Sequence, residues 1–217
     1  MNGLILKDLY NLKNGGRSLL IAIVVFSLIY FLQGDNYNIE VWNIFIILFG
    51  SILIVNTMSY DNTAKWDKYA LTMPVTRRDV VLSKYMVSII VIFIGVVLAT
   101  ALSFAQGISK HNLDVIKIFT VNGAALAGGF FFMSVTLPVI YKFGVEKSRI
   151  VIFLVFLGSG SVAIGSSKFD KLRFSSLTVQ YIHIILQHLP GIVLLIAILV
   201  MLISYSISLR IYSNKDM

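Results

Sequence analysis

The residue types that carry catalysis are sparse in this chain and poorly spaced for it. Its histidines are His111, His183 and His188, its glutamates are Glu40 and Glu146, and it has no cysteine. A helical zinc site of the H-E-x-x-H kind puts two histidines on one face with a glutamate beside them, and no such run occurs. His183 and His188 are spaced so that one helix turns them apart. Serines are plentiful in the apolar stretches, but none has a base nearby to activate it, and most are expected to bond back to their own helix. Gly144-Val-Glu-Lys-Ser echoes a phosphate-binding loop and Gly158 to Gly165 is rich in glycine, yet neither has the G-x-x-x-x-G-K-[ST] spacing that wraps amides around a phosphate. The expectation is therefore a chain with no catalytic residues, no bound cofactor and no metal.

Residues suited to docking, by contrast, gather in two segments. Between Asp61 and Lys84, Trp66, Tyr69, Ala70 and Met73 recur at i, i+3, i+4 and i+7. That spacing predicts a short helix burying one apolar stripe and showing Lys65, Asp67 and Lys68 on its other side. Pro74 ends it. Thr76 and Asp79 then stand at the cap and third positions of a capping box, with Arg77 and Arg78 between them and Val80, Val81 and Leu82 following, so the next helix starts before Lys84-Tyr85. The second segment, residues 138–149, is a compact turn carrying Tyr141, Lys142, Phe143, Glu146 and Lys147. Either segment could dock a soluble partner; belt aromatics and topogenic arginines would show the same residues.

The elements that hold these segments are membrane helices. Six stretches run uncharged: Ser18 to Gly34, Val41 to Tyr60, Tyr85 to Ser109, Ile118 to Tyr141, Ile150 to Ser167, and the apolar run ending at Leu209. A bilayer core about 30 Å thick takes ~20 apolar residues per helix. The expected fold is an all-α integral membrane domain of six transmembrane helices over residues 1–217, with its first and fifth spans the shortest. At 58% hydrophobic composition the chain has no room for a soluble catalytic domain. The first apolar run lacks a clear cleavage site and five spans follow it, so it is expected to be retained rather than removed as a secretory signal.

Lys and Arg resist translocation, and most of the eighteen fall in segments on one side of this arrangement, which places both termini in the cytoplasm of an inner or plasma membrane. The net charge of +8 is then a topology signal that also favours anionic headgroups, and nucleic acid is not an expected partner. Before the first span, Ile5, Leu9 and Leu12 share a helical face and Gly15-Gly16 breaks it, which reads as an interfacial helix over residues 1–16 or as a frayed first turn of the span. Outside, Phe174, Leu177, Tyr181, Ile184, Ile185 and His188 recur at helical spacing before Pro190, as an outer amphipathic helix within residues 168–190 or as the start of a long, kinked sixth span. Small residues at Gly95, Ala99, Ala124, Ala125, Gly128 and Gly129 allow close helix packing. Aromatic side chains at Phe45, Phe49, Phe93, Phe104, Phe131, Phe132 and Phe156 would suit an uncharged path for an amphipathic or apolar cargo.

The amphipathic Leu-Lys-Asp-Leu-Tyr start, the acidic-to-Trp-to-Tyr segment followed by Met-Pro-Val-Thr-Arg-Arg, and Val-Leu-Ser-Lys-Tyr leading into the third span resemble the membrane subunits of ABC-2 type transporters. Leu-Pro-Val-Ile-Tyr-Lys-Phe-Gly-Val-Glu-Lys and the terminal Arg210-Ile-Tyr are similar to the small-permease branch found in bacterial exporters of amphipathic peptides, such as phenol-soluble modulins and bacteriocins. The resemblance covers the whole chain and is most specific from Tyr69 to Tyr85. It implies a permease working with a separately encoded ATPase subunit that holds ATP and Mg, and with a second permease copy or paralogue. On that pattern residues 1–16 are an elbow helix. Residues 61–84 supply the principal coupling helix, with Trp66, Asp67, Tyr69, Pro74, Arg77, Arg78 and Asp79, and residues 138–149 supply a smaller contact. The chain departs from the branch at Met73, more often Leu there, and at Thr76, often Ser. Independently, no Asp, Glu, Lys or Arg lies within a proposed span, so no ion-binding site for a proton- or sodium-driven pump is present. An energy-independent membrane scaffold or immunity protein is the alternative reading.

Overall fold

Without water to satisfy its amides, an apolar chain closes its hydrogen bonds within each segment, and every regular element among the described residues is helical. The computed structural model describes residues 3–13, 17, 21, 24–25, 39–70, 72–109, 114–169 and 176–214. Its helices are α1 (residues 3–13), α2 (Ile39–Thr63), α3 (Trp66–Ala70), α4 (Arg77–Ser109), α5 (Val115–Phe169) and α6 (Ser176–Ser213). Most of the expected first span, the stretch from Ser18 to Gly34, lies outside the described residues, as do Lys171, Arg173 and Phe174 of the outer segment.

Among the described residues, three helical stretches are long and apolar enough to cross a membrane: Arg77–Ser109, Val115–Ile150 and Gly191–Ser213. Their surfaces agree with that. Phe93, Ile94 and Val97 on α4, and Leu195, Leu199, Leu202 and Ile203 on α6, are more than half exposed. Apolar faces this extensive do not stay open to water; they match a lipid-facing surface. The packed faces bury Ile54 of α2, Val81, Val87 and Ile92 of α4, Met133 and Leu137 of α5, and Met201 and Tyr212 of α6. Gly95 and Ala99 lie on the buried side of α4, in keeping with close helix packing.

Two expectations about elements change. Residues 138–149 are not a separate loop: α5 runs from Val115 to Phe169 and is broken only at Gly144, whose φ of 80° and ψ of 168° no helix shares. The turn thus shrinks to one residue, because glycine alone reaches that backbone region at little cost. Residues 176–190 are also not set apart from the sixth span. The backbone is one helix from Ser176 to Ser213 through Pro190, the long-span alternative.

A proline within α5 shows how the helices are joined. Pro138 has no N–H, so the carbonyl of Ser134 one turn earlier loses its helical donor. Ser204 of α6 supplies a replacement, its Oγ donating to that carbonyl at 2.6 Å. Tyr85 of α4 hydrogen-bonds the same Oγ at 2.7 Å and Ser208 Oγ at 2.8 Å, so one buried polar chain ties α4, α5 and α6. Farther along, Asn122 Nδ2 donates to Thr100 Oγ1 at 3.3 Å between α5 and α4.

Candidate functional site

The capping chemistry ahead of α4 forms as its local sequence dictates. Asp79 N–H donates to Thr76 Oγ1 at 3.2 Å, and Thr76 N–H donates to Asp79 Oδ2 at 3.1 Å, the reciprocal pair of a capping box. Just upstream, α3 is shorter than its apolar spacing predicts. It stops at Ala70, and Thr72 N–H and Met73 N–H close turn bonds to the carbonyls of Tyr69 and Ala70. The i+7 position therefore falls off the helix. Ala70 is buried and Trp66 is partly covered, but Tyr69 and Met73 are exposed, which corrects the expectation of a buried four-residue stripe. Lys65 enters α3 with φ at 50°, and Pro74 follows the turn, so a left-handed residue and a proline bound this short element.

Charges then fasten this region to the N-terminus. Lys84 Nζ lies 2.7 Å from Asp8 Oδ1 of α1 and also bonds Asp61 Oδ2 at the end of α2. Lys7 Nζ is 2.7 Å from Asp61 Oδ1 and 3.2 Å from Asp8 Oδ1. The side chains of Asp8 and Lys84 are only 1% and 5% exposed. Two carboxylates and two ammonium groups thus neutralise each other where neither sign could stand alone. Lys7 also sits 4.1 Å over the ring of Trp66, so the N-terminal helix grips the start of α3 through a cation–π contact.

The other terminus arrives at the same place. Helix C-termini leave carbonyls without donors, and the Arg77 guanidinium donates to the carbonyls of Tyr212 and Ser213 at the end of α6. Tyr212 donates its hydroxyl to Asp67 Oδ1 of α3 at 3.2 Å and packs edge-on against Tyr141 of α5, with ring centroids 5.4 Å apart. Met58, Asp61, Asn62, Trp66, Asp67, Val80, Lys84, Ile140, Tyr141, Gly144 and Val145 line one small cleft of about 50 Å³. Both segments singled out in the sequence contribute to its lining.

The remaining candidates separate. Lys142, Phe143, Glu146 and Lys147 are exposed beside the cleft, as are Lys68 and Arg78. Tyr141 is not on that surface; it is 7% exposed, turned into the packed interior by the helix that precedes Gly144. Among the aromatic residues of the expected cargo path, Phe132 is buried, whereas Phe93 and Phe131 face outward from this chain. Phe104 packs edge-on against Phe119 at 6.4 Å. They do not enclose a common interior within one chain. The side chains of Phe45, Phe49 and Phe156 lie outside the described residues. Sequence reasoning passed over Lys7, Asp8, Lys84 and Tyr212. The available signal was a set of opposite charges, Lys7-Asp8, Asp61 and Lys84, each flanking an apolar stretch.

Helices throughout the described residues, with lipid-facing surfaces and a charged, capped junction at their shared end, define a helical membrane protein. Residues 3–213 match the ABC-2 family transporter protein, so the chain belongs to that family and is a membrane permease of an ABC transporter. No curated protein and no solved structure matches it.

Proposed function

We propose that this chain is the membrane-spanning subunit of an ATP-driven exporter, energised by a separate ATPase subunit that binds ATP and Mg, and paired with a second permease copy or paralogue. Six transmembrane helices with both termini in the cytoplasm and an interfacial elbow at α1 complete the arrangement. The cargo is an amphipathic or hydrophobic molecule, with small antimicrobial or cytolytic peptides favoured by the bacterial branch it resembles. One observation supports the reading above the rest. The two segments assigned to ATPase coupling by resemblance both line one cleft, with Tyr69 and Phe143 exposed beside it. Exposed aromatic residues ringed by Lys68, Arg78, Lys142 and Lys147 are what a docking surface offers, since aromatic anchors carry affinity and rim charges guide approach.

Mild-detergent purification of the tagged chain from its native host tests this. A soluble nucleotide-hydrolysing protein is expected in equal amounts, released when Tyr69→Ala and Phe143→Ala are combined while insertion and abundance persist. If the chain elutes alone even after crosslinking, the permease reading of its partners fails and the energy-independent scaffold takes its place.

A further inference from the structure

Each of the two docking segments is short of support from its own backbone. α3 has five residues, far fewer than a helix needs to stand by itself in water, and the other segment is interrupted at Gly144. One side chain touches both. Tyr212, in the last turn of α6, donates its hydroxyl to Asp67 Oδ1 of α3 at 3.2 Å and sets its ring edge-on to Tyr141 of α5, 5.4 Å between centroids. It is 1% exposed, so it reaches these residues from the packed interior and is closed to a soluble partner.

Both contacts stand directly behind the exposed aromatic residues. Tyr69 follows Asp67 by two positions within α3, and Phe143 follows Tyr141 by two before the Gly144 break. Two positions turn a helix by about 200°, so the side held by Tyr212 and the side shown to solvent are opposite faces of one turn. Burial agrees, with Tyr69 65% and Phe143 51% exposed while Tyr141 is buried. Lys7 holds the first residue of α3 to α1, and Tyr212 joins α3 to the second segment. Arg77 fixes the same turn of α6 to the start of α4 by donating to the carbonyls of Tyr212 and Ser213. The foot of α6 is thereby held at three points.

We propose that Tyr212 is a positioning residue of the ATPase contact, fixing the spacing between the Tyr69 and Phe143 faces that the ATPase reads. A partner that engages two patches binds more tightly when their spacing is already set, because less binding free energy is lost in ordering them. The inference rests on the permease reading and adds the residue that makes its two contacts act as one surface.

Because the chain has no cysteine, spin labels at Lys68→Cys and Lys142→Cys, both exposed positions, report that spacing directly. In the purified full chain the label pair is expected to give one narrow distance distribution, and adding Tyr212→Leu a broad one. Tyr212→Phe keeps the ring and loses only the hydroxyl, so its thermal midpoint should stay near the parent's while retention of the ATPase falls about fivefold, the scale of one hydrogen bond. That loss should not grow with salt, since the buried residue makes no contact across the interface. Asp67 has further interactions, so a double-mutant cycle of Tyr212→Phe with Asp67→Ala isolates the pair, and the two losses should fall short of adding. Unchanged spacing in Tyr212→Leu, or parental retention in Tyr212→Phe, overturns the proposal and leaves the permease reading standing. So does a thermal midpoint in Tyr212→Phe that falls in step with retention, which is what a purely structural residue gives. If no ATPase copurifies with the parent chain, the permease reading and the proposal both fail, whatever the spacing.

Discussion

Pro138 poses a problem that only a residue from another helix can solve. A carbonyl stripped of its donor inside a membrane has no water to turn to, so the hydrogen bond from Ser204 to the Ser134 carbonyl carries the cost of the proline. Ser204→Ala is therefore expected to destabilise the chain by about 1–3 kcal/mol, read as earlier thermal unfolding in detergent. Adding Pro138→Ala should recover most of that loss, since alanine returns the N–H that the Ser134 carbonyl lacks. A double-mutant cycle without coupling would show that the serine acts only through its contact with Tyr85. The mechanism also explains why the bond was invisible in the sequence: Ser134 and Ser204 are 70 positions apart, and each alone reads as one more small polar residue in an apolar run. Thr76 and Asp79 were legible for the opposite reason. They are three residues apart, and backbone geometry alone brings them together.

Two of the junctions show different forces at work. Lys84 joins α4 to α1 and α2, and charge rather than apolar area does the joining. Lys84→Met leaves Asp8 and Asp61 with only the Lys7 ammonium to share and so one net buried negative charge, for which a loss of about 3–5 kcal/mol is expected, with poor membrane accumulation. Combining it with Asp8→Leu removes the stranded charge together with its partner and should bring accumulation back toward the parent level. At the second junction, Gly144 breaks α5 with a positive φ, and a Cβ built there meets nothing within 4 Å. Any penalty from Gly144→Ala is thus purely one of backbone conformation, about 1–2 kcal/mol. Gly144→Asn should cost as much, because a φ of 80° with a ψ of 168° lies in a region essentially reserved to glycine and outside the left-handed helical region that asparagine tolerates. Unchanged thermal midpoints for both variants would argue that the break relaxes when substituted. Helix type and approximate helix ends were readable from apolar runs, caps and prolines. The one-residue turn at Gly144 was not, since a glycine among charged residues marks a loop of any length. The charge network was not readable either, because a lysine at a helix end satisfies the topology rule whether it faces water or a buried aspartate.

For the whole molecule the decisive fact is that α1, α3, the Gly144 break and the end of α6 all meet, through Lys84 with Asp8, Asp67 with Tyr212 and Tyr141 with Tyr212. Both ends of the described chain therefore lie at one end of the helices. The far end follows from length. At 1.5 Å per residue, the helical stretch from Ile116 to Phe143 spans about 40 Å, more than the ~30 Å hydrocarbon core. Ile116 and Ser109 accordingly stand across the bilayer from the cleft. Lys65, Lys68, Arg77, Arg78, Lys142, Lys147, Arg149 and Arg210 cluster at the cleft end, which is the end that the proposed function puts in the cytoplasm. The chain has no cysteine, so single substitutions report cleanly. In intact cells a membrane-impermeant maleimide should label Ile116→Cys and leave Tyr10→Cys, Tyr69→Cys and Asn214→Cys untouched until the membrane is opened. All four parent side chains are exposed, which removes burial as a reason for silence. The reverse pattern would invert the molecule and carry the cleft away from any cytoplasmic ATPase. Labelling of Tyr10→Cys without Asn214→Cys would mean that the two termini are on opposite sides, which the buried pairing of Asp8 with Lys84 and the hold of Arg77 on α6 do not permit.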